Sequence, residues 1–98
     1  MSATTIQPES ISKTRTIPMY KVIFLNDPKT TVEFVIAVLK VIFNKSSEEA
    51  KRITMEVHET GCGLAGIYTK ELAELKVDQT LSQAKTYKYP LQVTMEPA

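Results

Sequence analysis

The segment from residue 32 to residue 43 constrains the fold more than any other part of this chain. It is apolar at almost every position, and only Glu33 and Lys40 clearly favour water. Its β-branched content is compatible with a strand, but its length and the Thr-x-x-Glu sequence that starts at Thr30 favour a capped helix. A helix that is apolar on nearly all sides should be buried on most of them, so the other elements must cover it.

The segments on either side of this helix predict a strand before it and a second capped helix after it. Residues 20–25 are β-rich and apolar at five of six positions, which indicates a strand covered on both faces. Ser46 opens a second capping box and a helical pattern that ends at Gly61 and Gly63.

The last third of the chain predicts a strand, a helix and a final strand. Residues 64–68 form the short strand, and Thr69 is the expected cap of the third helix. The predicted apolar stripe of that helix comprises Leu72, Ala73, Val77, Leu81 and Ala84. Leu91, Val93 and Met95 then alternate with polar residues, as in a half-buried strand. The order β-α-α-β-α-β predicts a two-layer α+β domain, with a three-stranded antiparallel sheet and three helices on one face.

Length and composition allow one domain and exclude several functions. We assign residues 18–98 to the domain and residues 1–17 to an arm that we expect to be disordered, because it is rich in Ser and Thr and lacks helical periodicity. The arm lacks the continuous apolar core of a secretory signal, and no stretch reaches the ~20 apolar residues of a membrane span.

A net charge of +1 gives no indication of nucleic-acid or membrane binding. The single cysteine excludes an internal disulfide, and no metal or other cofactor is expected.

Three polar residues are candidates for a site that recognises an ammonium group. Asn26 and Asp27 stand between the first strand and the apolar helix, and the chain's only histidine, His58, lies near the end of the second helix. An amide oxygen, a carboxylate and a neutral imidazole can each accept a hydrogen bond from a cation. Each residue also has a simpler explanation, because Asn-Asp-Pro is turn chemistry and a lone histidine at a helix end is usually a surface residue.

Six short motifs, taken together in their order and spacing, resemble the ClpS family. They are Tyr20-Lys21-Val22-Ile23-Phe24-Leu25-Asn26-Asp27, Glu33-Phe34-Val35, Val57-His58, Gly66-Ile67-Tyr68-Thr69, Lys76-Val77 and Pro90-Leu91. The resemblance covers about residues 18–96. It implies a non-enzymatic adaptor of the N-degron pathway of bacteria and plastids. Such adaptors bind proteins whose first residue is bulky and apolar, and deliver them to the Clp unfoldase, a hexameric AAA+ ATPase coupled to a protease.

The resemblance also implies a role for particular residues. Asn26, Asp27 and His58 would bind the α-amino group of the substrate, with His58 as the neutral imidazole. The implied apolar pocket consists of Thr30 at the rim, Val32, Val35, Thr54, Val57 and Leu91. Glu71 and Lys76 match the surface that docks the unfoldase, of the ClpA or ClpC type. We expect no nucleic-acid or membrane partner, and a location in the bacterial cytoplasm, with the plastid stroma as the alternative.

Three residues depart from the usual pattern of the family. Pro28 replaces a second acid and so removes one charge from the amino-group site. Val32 and Thr54 stand at or near positions where methionine is usual, and valine is shorter and stiffer than methionine. Thr54 should also make the wall of the pocket slightly polar. We therefore expect a smaller penalty against β-branched first residues such as Ile or Val.

Two other functions compete with the adaptor hypothesis. A small interaction domain resembling the C-terminal domain of the ribosomal stalk protein has a similar layout, but it would not require Asn26 and His58 to converge. A cysteine hydrolase would pair Cys62 with His58, four residues away, but no third group that could orient the pair is apparent. We expect no enzyme activity.

Overall fold

The computed structural model describes residues 17–98, and the predicted arm, apart from Ile17, lies outside the described residues. In chain order the elements are β1 (Met19–Leu25), α1 (Val32–Val41), α2 (Ser47–Thr60), β2 (Cys62–Thr69), α3 (Lys70–Thr86) and β3 (Gln92–Pro97). This order confirms the predicted β-α-α-β-α-β arrangement and the α+β class. Within residues 17–98, none of the helices has the length and apolar character needed to cross a membrane.

The first strand of the sequence is the central strand of the sheet. β1 pairs antiparallel with both β2 and β3, in the order β2-β1-β3, and its register against β2 shifts between Val22 and Ile23. Val22 and Phe24 are fully buried, whereas Ile23 between them is partly exposed. The expectation of a strand covered on both faces was therefore wrong, because the helices pack on only one face of the sheet.

Helix α1 begins one residue later than its sequence predicted. Thr31 is the N-cap, and its hydroxyl accepts a hydrogen bond from the Phe34 N–H at 3.2 Å. The predicted capping box at Thr30 was wrong because Asp27 accepts hydrogen bonds from both the hydroxyl and the N–H of Thr30. The helix ends at Val41, two residues before the predicted end.

Burial along α1 is confined to one stripe. Val35, Val38 and Leu39 are buried at helical spacing, but Val32 and Val41 are largely exposed. The prediction that α1 is buried on most sides was wrong, since the apolar residues outnumber the positions that face another element.

Helix α2 follows its sequence signals closely. The Ser46 hydroxyl accepts from the Glu49 N–H at 3.1 Å, and Gly61, at φ +96°, ends the helix in the left-handed conformation. Gly63, predicted as part of this stop, lies inside β2 instead. A Cβ at Gly63 would lie 2.7 Å from Cγ2 of Val57, so the missing side chain allows α2 to pack closely on β2.

The buried face of α3 is smaller than predicted. Its buried residues are Ala73, Thr80 and Ala84. Leu72 and Leu81 of the predicted stripe are exposed, and two of the three buried residues of α3 are alanines. Thr69 precedes the helix as expected, but within the described residues its side chain makes no capping hydrogen bond.

Candidate functional site

A cleft of about 640 Å³ lies between the loop that joins β1 to α1, the first turn of α1 and one face of α2. It has a polar end and an apolar wall. Its lining includes eight residues that the sequence proposed for a binding site, namely Asn26, Asp27, Thr30, Val32, Val35, Thr54, Val57 and His58.

One backbone hydrogen bond explains why the polar residues converge. The Asn26 N–H donates to the Gly61 carbonyl at 3.0 Å, which ties the β1–α1 loop to the end of α2. His58 is in the last turn of α2, so this bond holds Asn26 at the same end of the cleft as the imidazole. The side chains of Asn26 and His58 are both exposed to solvent there.

Asp27 organises the loop as well as contributing charge. Its Oδ1 accepts the N–H groups of Lys29 and Thr30 at 2.8 and 2.9 Å, and its Oδ2 accepts the Thr30 hydroxyl at 2.5 Å. Partial burial raises the pKa of the Asp27 carboxyl, but these three hydrogen bonds stabilise the ionised form and leave its pKa below the usual value. Asp27 is therefore an anion at neutral pH whose oxygens are largely committed to the loop.

The apolar wall consists mainly of buried side chains from α1 and α2. Val35, Thr54 and Val57 are at most 6% exposed, whereas Val32 is 46% exposed and lies at the mouth. The polar character expected of the wall at Thr54 is reduced by a local bond. The Thr54 hydroxyl donates to the Ala50 carbonyl at 2.7 Å, so this donor is satisfied within α2.

Three predicted residues lie elsewhere. Leu91 is buried in the core and is not among the described residues that line the cleft. Glu71 is exposed in the first turn of α3. Lys76 is half-buried on the same helix, and its Nζ donates to the Ile42 carbonyl at 2.6 Å. Neither Glu71 nor Lys76 contributes to the cleft as the structure describes it.

Three further residues line the cleft, namely Pro28, Thr31 and Glu33. Pro28 was expected beside the amino-group site as the replacement of an acid, whereas Thr31 and Glu33 were not predicted for the site. Thr31 was missed because the helix cap was assigned one residue too early. Glu33 was interpreted as a capping residue and as part of a family motif, although its position in the first turn of α1, next to Val32, was a signal that it could reach the same cleft.

The remaining reactive groups do not form a catalytic arrangement. Cys62 is exposed and pairs with Leu25 in the β1–β2 register, and it is absent from the cleft lining within residues 17–98. In the same range, no three His, Cys, Asp or Glu side chains are grouped so as to hold a metal ion.

The fold and the cleft thus define a small binding protein whose site is polar at one end and apolar along its wall. The family model described as ATP-dependent Clp protease adaptor protein ClpS matches residues 15–94. The chain belongs to this family, which confirms the resemblance seen in the sequence. It is a Clp protease adaptor and not an enzyme.

Bacterial relatives and a solved structure agree with this assignment. The ClpS adapter proteins of Phenylobacterium zucineum and Caulobacter vibrioides are 50% and 49% identical to the chain over 84 residues, which are 86% of this chain and 77% of each relative. The structure of Agrobacterium tumefaciens ClpS2 bound to L-phenylalaninamide superposes with a TM-score of 0.81 at 34% identity. The match covers 84% of this chain and 99% of that one.

Proposed function

We propose that this adaptor binds proteins through a free α-amino group and a bulky apolar first side chain, and delivers them to the unfoldase of the Clp protease. L-phenylalaninamide, the ligand bound to the similar ClpS2, has this chemistry: a free amine beside an aromatic side chain. The proposal matches the two parts of the cleft, since one end offers acceptors and the wall is apolar.

The observation that supports the proposal most strongly is the hydrogen bond between the Asn26 N–H and the Gly61 carbonyl. An α-ammonium group has three donors, and it loses its hydration in a cleft unless acceptors replace the water. In the proposed complex, the Asn26 amide oxygen and a neutral His58 nitrogen accept two of these bonds. The ionised carboxylate of Asp27 adds favourable charge close by.

The first side chain of the substrate would lie against Val35, Thr54 and Val57. Burying a Leu or Phe side chain is worth roughly 1.5–3 kcal/mol. Together with recognition of the ammonium group, an affinity near the micromolar range, about −8 kcal/mol, is expected.

A direct test compares a Leu-first peptide with its N-acetylated form by fluorescence anisotropy. The free peptide should bind with a Kd in the micromolar range, and the acetylated form should not bind measurably, because acetylation removes the charge and two donors. Asn26→Ala should weaken binding of the free peptide about tenfold or more, since a hydrogen bond to a charged group contributes about 1.5–3 kcal/mol. Gln92→Ala, an exposed amide on β3, is the matched control and should have no effect. Equal binding of both peptides would count decisively against the proposal.

Val32 at the mouth of the cleft and Thr54 in its wall are proposed to relax selectivity. Val32 is short, and the Thr54 hydroxyl is already bonded within α2, so the cleft should tolerate a methyl group on the β-carbon of the ligand. The affinities for a Leu-first and an Ile-first peptide should lie closer together in the native protein than in the Val32→Met variant. The idea fails if Val32→Met leaves the Leu-to-Ile ratio unchanged.

The unfoldase is proposed to dock on α3, through Glu71 and the neighbourhood of Lys76, and to be of the ClpA or ClpC type. The exposed carboxylate of Glu71 is accessible to a partner. Because the relatives are bacterial, we place the complex in a bacterial cytoplasm. Glu71→Lys should reduce binding to the unfoldase while the affinity for a Leu-first peptide stays the same. If the Glu71→Lys variant binds the unfoldase as tightly as the native protein does, Glu71 is not part of the interface.

A further inference from the structure

We infer that Tyr89, in the loop between α3 and β3, positions the first turn of α1 and thereby strengthens binding of a bulky first side chain in the cleft. Tyr89 is not among the described residues that line the cleft, so it acts through α1 and not by touching the ligand. This role rests on the proposed function, because it requires that the apolar wall receives the first side chain of the substrate.

Three aromatic rings pack together between α1 and this loop, and we call them the aromatic cluster: Phe34, Tyr87 and Tyr89. The ring centroid of Phe34, in the first turn of α1, lies 5.0 Å from that of Tyr89 and 5.5 Å from that of Tyr87. The rings of Tyr87 and Tyr89 are stacked, with centroids 6.2 Å apart and planes at 7°. Aromatic pairs at such separations stabilise each other beyond the apolar area that they bury. The aromatic cluster therefore joins the start of α1 to the loop.

The hydroxyl of Tyr89 also contacts the N-cap of α1. The Thr31 hydroxyl donates to the Tyr89 hydroxyl at 3.5 Å and accepts from the Phe34 N–H at 3.2 Å. The longer distance is at the upper limit for a hydrogen bond, so the rings provide most of the support. Thr31 lines the cleft, as do the next two residues, Val32 and Glu33. Tyr89 thus contacts the segment of α1 that forms one side of the cleft.

Backbone hydrogen bonds fix Tyr89 to the end of α3. The Tyr89 N–H donates to the carbonyl of the buried Ala84 at 2.8 Å, and the Lys88 N–H donates to the Lys85 carbonyl at 3.0 Å. Lys88 has a φ of +62°, the left-handed conformation that often follows a helix. Since α3 contributes no residue to the cleft lining within residues 17–98, it supports α1 from outside the site.

The first turn of α1 is the part of the cleft that depends most on such support. The first N–H groups of a helix have no partner inside it, and helix ends fray. If the first turn moved, a ligand would lose contact with Val32 and Val35. The acceptors for its amino group would stay in place, because Asn26 is bonded to Gly61 and His58 belongs to α2. Loss of Tyr89 should therefore weaken apolar burial and spare recognition of the amino group.

The test compares a Leu-first with an Ala-first peptide, both with free amino groups, by NMR titration under conditions where circular dichroism shows every variant folded. The methyl group of Ala buries little apolar area, so the Ala-first peptide mainly reports recognition of the amino group. In Tyr89→Ala the affinity for the Leu-first peptide should fall about three- to tenfold, as expected when about half of the burial of a Leu side chain is lost. The affinity for the Ala-first peptide should stay within about twofold, and Tyr89→Phe, which keeps the ring, should bind both peptides within about twofold of the native protein.

A control variant separates this role from a general loss of stability. Tyr20 is also a partly exposed tyrosine that packs against the core, but it lies at the opposite end of β1 from Asn26. Tyr20→Ala should lower the Tm and leave the Leu-to-Ala affinity ratio at its native value. Amide hydrogen exchange gives a second readout, since the Phe34 N–H should exchange faster in Tyr89→Ala and at the native rate in Tyr20→Ala.

Two results would overturn the role of Tyr89. One is a native Leu-to-Ala affinity ratio in Tyr89→Ala, and the other is an equal loss of affinity for both peptides, which would make Tyr89 a support of the fold alone. If Tyr89→Ala does not fold, Tyr89→Leu, which keeps an apolar side chain but no ring, replaces it, and the same ratio decides. Failure of the proposed function would look different, because the native protein would then bind the free and the acetylated Leu-first peptides equally.

Discussion

Replacing Lys76 by methionine tests how α1 is held against the rest of the domain. The Nζ of Lys76 donates to the carbonyl of Ile42, just beyond the end of α1, at 2.6 Å. The same atom lies 5.3 Å from the ring centroid of Tyr68 and 5.7 Å from that of Phe43. Lys76 thus joins α3 to the end of α1 and places a cation where the helix dipole favours one.

The expected loss follows from these contacts. A hydrogen bond with a charged donor contributes about 1.5–3 kcal/mol, and a cation–π contact at a partly exposed site contributes about 0.5–1 kcal/mol. Methionine keeps most of the apolar stem of lysine, and solvent screens the half-buried ammonium, so the net loss should be about 2 kcal/mol. For a domain of this size, that corresponds to a fall in Tm of about 8–16 °C.

Thermal and urea unfolding, followed by circular dichroism, measure this loss. Lys51→Met, at an exposed position on α2, is the control and should stay within about 0.5 kcal/mol of the native protein. If Lys76→Met melts within about 2 °C of the control, the proposed role of Lys76 in holding α1 is refuted. If it also loses unfoldase binding without losing stability, Lys76 belongs to the docking surface directly.

Three further perturbations test the cleft and its supports. Gly63→Ala should destabilise the domain by about 1–3 kcal/mol in urea unfolding and weaken peptide binding, because its Cβ would clash with Val57 of the apolar wall. Thr30→Val should cost about 1 kcal/mol at pH 7, whereas Thr30→Ser should not. The folded-state pKa of Asp27 is lowered, so its ionised carboxylate stabilises the folded protein. This contribution is present above the unfolded-state pKa of about 3.9 and is lost as the pH falls through the folded-state pKa. The difference between Thr30→Val and the native protein should therefore shrink as the pH falls through the folded value, and a constant difference would contradict the role of Asp27. His58→Ala should weaken binding of a Leu-first peptide about tenfold or more, because the hydrogen bond from the α-ammonium group to the imidazole is lost, and an unchanged affinity would exclude His58 as an acceptor.

Local sequence signals predicted the helix ends well where no other residue competed for the same hydrogen-bonding groups. Ser46 caps α2 and Gly61 ends it as the sequence indicated, because both signals depend on backbone groups a few residues away. Thr30 failed as a cap because Asp27 competes for its hydroxyl and N–H. Two adjacent threonines, Thr30 and Thr31, could each have capped α1, and only the folded loop distinguishes them.

Burial was predicted less well than secondary structure. Ala73 and Ala84 of the predicted α3 stripe are buried, yet Leu72 and Leu81 of the same stripe are exposed. Periodicity identifies which residues share a helix face, but it does not determine which face meets a neighbour or how closely. For the same reason, α1 is apolar nearly all round while only one stripe of it is buried.

The sequence by itself determined the order of the elements, the α+β class and the family, because those follow from local chemistry and from motifs in a particular order. Only the tertiary structure decided that Asn26 and His58 lie at one end of a cleft, since the bond from Asn26 to Gly61 joins segments far apart in the chain. It also decided that Glu33 lines the same cleft and that Lys76 contacts the end of α1. Such contacts depend on how the elements pack against one another, which no local pattern encodes.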